Sequence, residues 1–227
     1  MIGDKIVIEK IHELKADIIF GYLVKWGIQD KVTSMIDDFT SDNKIILSIG
    51  GESGTGKSEI AILLREMFFK SGITSYIISQ DDYYSSDYQS RNKLREKNGI
   101  ETVGYQEIEV EKLNTLCSNF KENKGLQIQQ LNLFTRLMEI VIASSVFNVL
   151  ILEGLYTNYL NADFKVYLEG NVRDTQYFRM NQGKEEQTDF RQKVLEKESR
   201  VVCQSKPLAN LIITFDGDLK IRRFENK

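Results

Sequence analysis

The chain has 227 residues, 41% hydrophobic and 28% charged, which suits one domain with a sizeable core and a small appendage. A net charge of −3 gives no overall basic footprint and argues against nucleic acid as a partner. Two cysteines, Cys117 and Cys203, are too few for a disulfide framework, and the lone histidine, His12, excludes a multi-histidine metal site.

In chain order, residues 9–39 read as helix. Ile11, Leu14, Ile18, Tyr22 and Trp26 recur at helical spacing, and Met35, Ile36 and Phe39 follow a break at Gly27. Residues 1–43 are therefore expected to form an N-terminal helical extension, with His12 in a structural or surface role. The run "IIFGYLV" at 18–24 falls short of the roughly 18 apolar residues of a membrane span. The first residues carry no positive stretch ahead of a long apolar block. No membrane partner and a cytoplasmic location are expected.

After the turn cluster "TSDN" comes "KIILSI" (44–49) as a buried strand, then "KSEIAILLREMFFKSG" as a helix ending at Gly72, then "TSYIIS" (74–79) as a second strand. Residues 85–125 are polar and partly helical. "FNVLILEG" (147–154), "FKVYLEG" (164–170) and "NLIITFDGD" (210–218) supply three further strands, and the charged segment 171–205 has helical composition. Short apolar strands separated by helical stretches predict an α/β fold: a five-stranded, mostly parallel sheet with helices on both faces, spanning 44–227. Such sheets bind ligands beyond the carboxyl ends of their strands.

Between the first strand and its helix stands "GESGTGKS": Gly51, Glu52, Ser53, Gly54, Thr55, Gly56, Lys57 and Ser58, followed by Glu59. This is the phosphate-binding pattern G-x-x-x-x-G-K-[ST]. Its glycines let main-chain N–H groups wrap a phosphate in conformations a side chain would block. The helix beginning near Lys57 adds its positive end. Lys57 supplies an ammonium for the β- and γ-phosphates, and Ser58 a hydroxyl for Mg²⁺. ATP and Mg²⁺ are the expected nucleotide and cofactor.

Two acidic features fall where such a site needs them. "ISQDDYY" puts Asp81 and Asp82 at the end of the second strand, and "LILEG" ends the third on Glu153. Alone, each acid reads equally as a polar residue closing a strand. Beside a phosphate loop, Ser58, Asp81 and Glu153 are the candidate metal-side groups, and Asp81 can take the proton of an attacking hydroxyl. Asp82, Tyr83, Tyr84 and Tyr156 are candidate substrate contacts; core packing is the plain alternative for the tyrosines.

These residues resemble the uridine kinase and phosphoribulokinase family of P-loop kinases. "GESGTGKS" is similar to its loop, "SQDDYY" to its S-Q-D-x-[FY]-Y segment, "VLILEGLY" to its acidic strand end, and "LANLIITFDGD" to its closing strand, all in the family's order over about 44–218. The resemblance implies a P-loop NTPase fold of the nucleoside/nucleotide-kinase type, with Asp81 as general base and a lid at about 171–205. Lid cations corresponding to Arg179 and Lys184 would join Lys57 in catalysis. It implies a small-molecule acceptor, a nucleoside first, and self-association into a homo-oligomer. The lid "RDTQYFRMNQGKEEQ" has fewer cations than the family pattern, and the nucleoside-reading D-H-P segment is absent, its region offering Glu101, Tyr105, Glu107 and Glu109. A toxin-like nucleotide-sugar kinase and a nucleotide-binding regulator without phosphoryl transfer stay open as alternatives. A GTP-dependent switch is disfavoured, because no "NK" is followed by aspartate two residues on.

Overall fold

The computed structural model describes residues 44–132, 136–170, 188–214 and 221–223. The expectations for 1–43, and for the lid cations Arg179 and Lys184, lie outside the described residues.

The central sheet has the order β2-β5-β1-β6-β7-β8, from β1 (Ile45–Gly51), β2 (Ser75–Ser79), β5 (Val149–Glu153), β6 (Phe164–Glu169), β7 (Leu211–Thr214) and β8 (Ile221–Arg223). The five expected strands are all parallel, and β8 adds a short antiparallel strand beside β7. A separate antiparallel hairpin, β3 (Gly125–Asn132) with β4 (Arg136–Ala143), was not anticipated from sequence.

Continuous apolar strands require cover on both faces, because neighbouring side chains point to opposite sides. One face of the sheet, carrying Leu47, Ile49, Ile151, Val166 and Leu168, is covered by helix α1 (Lys57–Lys70) through Ile60, Leu64 and Phe68. The other, carrying Ile46, Leu150, Leu152 and Tyr167, packs on helix α3 (Val110–Lys121) through Leu113, Leu116, Cys117 and Phe120. That i, i+3, i+4, i+7 spacing is the stripe an amphipathic helix turns inward. Leu126 and Ile128 of the hairpin join this second core. Helix α2 (Tyr88–Asn98) starts at an Asp87 cap, whose Oδ1 accepts from Ser90 N–H at 2.9 Å, and α4 (Asp189–Cys203) starts at a Thr188 cap. Among the described residues no helix is long and apolar enough to cross a membrane.

Candidate active site

Three adjacent strands deliver the site. β1 opens into the glycine loop, β5 ends on Glu153, and β2 ends on Ser79, two residues before Asp81. In register, Ser79 and Ile49 flank Glu153 from either side, so the loop, the carboxylate and the Asp81 turn emerge side by side.

The glycines are steric requirements here. At Gly51, φ is 146° and an added Cβ would stand 2.4 Å from the Leu168 carbonyl oxygen. Gly56 caps α1 at φ 86°, a left-handed turn that aims the helix start back at the loop. The first bond along α1 runs from Ile60 N–H to Gly56 O at 3.0 Å. The N–H groups of Lys57, Ser58 and Glu59 thus have no acceptor within the helix, and they sit at its positive end. A cluster of such donors is an anion site.

Lys57 Nζ donates to the Glu52 carbonyl at 2.7 Å, and Thr55 Oγ1 donates to the same oxygen at 2.8 Å. Burial holds the Lys57 ammonium below its ordinary pKa, opposed by Glu153, Asp81, Glu59 and Glu198. Glu153 is 7% exposed, its Oε1 accepting from Ser79 Oγ at 2.7 Å and its Oε2 from Ser58 Oγ at 3.1 Å. Burial pushes its carboxyl up; Asp81 adds to this, while Ser79, Lys57 and Ser58 work against it. A half-buried cation and a buried carboxylate thus stand beside the same loop, and loss of solvation opposes the charge on each.

Ser58 and Glu153 fit Mg²⁺. They offer a hydroxyl and a carboxylate oxygen already in contact, the hard donors of a cation that keeps several waters and takes one or two protein ligands alongside phosphates. Among the described residues no three His, Cys, Asp or Glu side chains converge to hold a metal unaided. The site suits an ion that arrives with a polyphosphate.

The two aspartates part company. Asp81 is exposed, and its charge acts on Lys57, Glu153 and Tyr84; Asp82 acts instead on the Tyr76 and Tyr83 hydroxyls. Asp81 is thus felt at the phosphate loop, and Asp82 at the two tyrosines whose hydroxyls meet the hairpin. The tyrosines divide in the same way. Tyr83 is a core residue, 1% exposed, whose hydroxyl accepts from Gln129 N–H at 3.2 Å; enclosed on all sides, it is corrected from substrate contact to packing. Tyr84 remains at the site, with the Arg91 guanidinium 3.3 Å from its ring centroid. Tyr156 is wholly buried, its N–H donating to Gln80 Oε1 at 2.7 Å, and its hydroxyl has no hydrogen-bond partner among the described residues.

The structure adds groups the sequence reading passed over. Ser79 orients Glu153. The Glu52 side chain turns away from the loop to α4, accepting from Ser199 Oγ at 2.9 Å and Cys203 Sγ at 3.5 Å. Arg95 of α2 is buried between two carboxylates: Nε and Nη2 donate to Glu107 at 2.7 and 2.9 Å, and Nη2 donates to Glu198 of α4 at 3.0 Å. Arg191 also reaches Glu198, at 3.4 Å. Burial alone would lower the Arg95 pKa, but its bonds to Glu107 and the charges of Glu198 and Glu107 more than reverse that. This network ties the helix after the Asp81 turn to α4, the helix within the lid segment of 171–205.

Comparison with known proteins matches residues 46–179 to the model of the "Phosphoribulokinase / Uridine kinase family". A curated relative, the bifunctional alpha-galactosidase/sucrose kinase AgaSK of Mediterraneibacter gnavus, is 27% identical over 199 residues, 80% of this chain. The chain spans 21% of that relative's length. A Bacillus stearothermophilus protein described as a possible uridine kinase superposes with a TM-score of 0.60 at 19% identity, covering 81% of this chain and 96% of that one. Phosphoribulokinase from Rhodobacter spheroides gives 0.62 at 12% identity, with 77% and 71% covered. D-glycerate 3-kinase from Cryptococcus neoformans gives 0.54 at 13% identity, with 94% and 99% covered. At these identities the solved structures share the fold.

Proposed function

The chain belongs to the phosphoribulokinase and uridine kinase family, its model spanning more than half of the sequence, and on that premise we propose that it transfers the γ-phosphoryl group of ATP to a sugar hydroxyl. The observation that carries the reading is the convergence of Lys57, Ser58, Glu153 and Asp81 at the carboxyl ends of three adjacent strands. A sugar replaces the nucleoside expected from sequence for two reasons. A curated relative carries sucrose kinase in its name, and the nucleoside-reading segment of the family is missing here.

The loop amides and the start of α1 hold the phosphate tail, and the Lys57 ammonium leaves the Glu52 carbonyl for the β- and γ-phosphates. Ser58 and Glu153 would hold Mg²⁺, which when bound supplies positive charge against the phosphate oxygens. Asp81 accepts the proton of the acceptor hydroxyl. That oxygen bonds to the γ-phosphorus as the bond to the β-bridging oxygen breaks, and ADP carries away the electron pair. Arg179 and Lys184, carried over from the sequence resemblance, are proposed as lid cations over the transferring group.

The test is ADP release with ATP, Mg²⁺ and a panel of sugars and nucleosides, comparing the parent with Asp81→Asn. The expected result is loss of turnover by at least about 10²-fold, the lower range for general-base catalysis, with ATP affinity kept within about threefold. Saturable ATP binding without turnover on any acceptor would replace this reading with that of a nucleotide-binding regulator.

A further inference from the structure

Three residues of the phosphate loop, Gly51, Gly54 and Gly56, have positive φ, at 146°, 81° and 86°. A backbone so rich in glycine has no single conformation of its own, and ordering it costs more entropy than ordering other residues. The bonds made inside the loop converge on one atom. The Glu52 carbonyl accepts from Lys57 Nζ at 2.7 Å, from Thr55 Oγ1 at 2.8 Å and, more loosely, from Thr55 N–H at 3.4 Å. Under the proposed function Lys57 leaves that oxygen for the phosphates, so the loop needs a second restraint once the nucleotide is in place.

The Glu52 side chain supplies one. The residue is 6% exposed, and its Oε1 accepts from Ser199 Oγ at 2.9 Å and from Cys203 Sγ at 3.5 Å. Ser199 and Cys203 are four positions apart on α4 and so lie one above the other on the face that meets the loop. Burial raises the Cys203 pKa, and the Glu52 charge adds to this against the opposing bond from Tyr167, so the thiol keeps the proton it donates. A cavity of about 10 Å³, the room of roughly one water, lies between loop and helix, with Glu52, Ser53, Leu195 and Ser199 in its lining. The two hydrogen bonds bridge a seam that packing leaves open.

A tie is only as stiff as its anchor, and α4 is well anchored. Val194 and Val202 are fully buried, and the Tyr159 hydroxyl donates to the Val201 carbonyl at 2.6 Å. Glu198, next to Ser199, is clasped by Arg95 of α2. This stretch of α4 therefore grips the phosphate loop through Ser199 and the helix after the Asp81 turn through Glu198. The tie also accounts for an acid in a loop that receives a polyanion. Its charge opposes the phosphates, and its use is as an acceptor turned away from them.

We propose that Ser199 and Glu52 are positioning residues for the nucleotide: the Ser199 hydroxyl, seconded by the Cys203 thiol, holds the Glu52 carboxylate and thereby fixes the loop amides in their phosphate-binding arrangement. The inference rests on the kinase reading above in one respect, that the loop holds ATP. A loop already in its bound shape spares the ligand the cost of ordering it. Cutting the tie moves that cost into binding, and the loss appears as weaker nucleotide affinity.

The experiment is a calorimetric titration of the full chain with a non-hydrolysable Mg-ATP analogue, using the parent, Ser199→Ala, Ser199→Thr, Glu52→Ala and the double variant of the two alanines. Ser199→Ala is expected to weaken binding about tenfold, the low end for a hydrogen bond to a charged group. Ser199→Thr, which keeps a hydroxyl, is expected to recover most of that loss. Glu52→Ala is expected to weaken binding at least as much, and the double variant no more than Glu52→Ala alone, because one tie is cut only once. A merely structural bond would lower the melting temperature and leave the affinity at the parent's value; that result for Ser199→Ala overturns the proposal. So does a double variant whose loss is the product of the two single losses. Either outcome leaves the kinase reading intact, whereas a parent that binds no nucleotide removes both. If Glu52→Ala fails to fold, Ser199→Ala against Ser199→Thr still decides, equal losses in the two overturning the proposal.

Discussion

Arg95→Met is the most informative structural perturbation. The Arg95 side chain is 4% exposed and makes three hydrogen bonds to two carboxylates, which are themselves 13% and 6% exposed. Removing the guanidinium leaves Glu107 without its bidentate partner and Glu198 with only the longer contact to Arg191. Breaking a buried ion pair from one side costs about 3–5 kcal/mol, against a total stability of about 5–15 kcal/mol for a natural domain. For a chain of this size the midpoint of melting should fall by about 6–20 °C. Urea unfolding followed by circular dichroism, with the slope m checked for constancy, reads the change. The double variant Arg95→Met with Glu107→Met should recover part of the loss, because it removes one uncompensated charge. A loss below about 1 kcal/mol, the range of exposed pairs, would refute the claim that this network is a dry clasp between α2 and α4.

Two further outcomes follow from the loop and its carboxylate. Burial raises the Glu153 pKa in the folded protein, so its ionisation opposes folding above that pKa, and the penalty disappears as pH falls through it. Ligand-free Glu153→Gln should thus be more stable than the parent at neutral pH, with the gain shrinking on acidification, while Mg²⁺-dependent ATP binding weakens; thermal melts across pH and a metal titration check both halves. Lys57→Met should keep the ligand-free melting temperature or raise it, since the half-buried ammonium is held below its ordinary pKa. The same variant should lose most of the stabilisation that the parent gains from Mg-ATP, read by melting with and without nucleotide.

The loop and the strands were legible because their physics fixes residue types at fixed spacing. Wrapping a phosphate with main-chain amides demands the glycines of Gly51–Ser58, and a sheet covered on both faces demands unbroken apolar runs such as Val149–Leu152. Glu153 and Asp81 were legible for a related reason, each being an acid at the end of a strand beside that loop. Orientation was not. Asp81 and Asp82, like Tyr83 and Tyr84, are adjacent residues of one short turn that leave in different directions, and only the packed turn separates them. The Arg95–Glu198 pair is 103 residues apart, beyond any local pattern. One signal was nonetheless present: Glu198 shares the inward face of α4 with Val194, Leu195 and Val202, and a glutamate at such a position needs a buried partner. The hairpin was missed because the glutamines of "GLQIQQLN" dilute its apolar alternation.

The account depends on phosphorus moving from a nucleotide held at Gly51–Ser58 to a hydroxyl beside Asp81. Phosphorus NMR of the protein with Mg-ATP and a sugar follows that atom directly. The γ-signal should disappear in step with growth of a phosphomonoester resonance and of ADP. Inorganic phosphate as the sole product, or an unchanged γ-signal under conditions where ATP is bound, would contradict it.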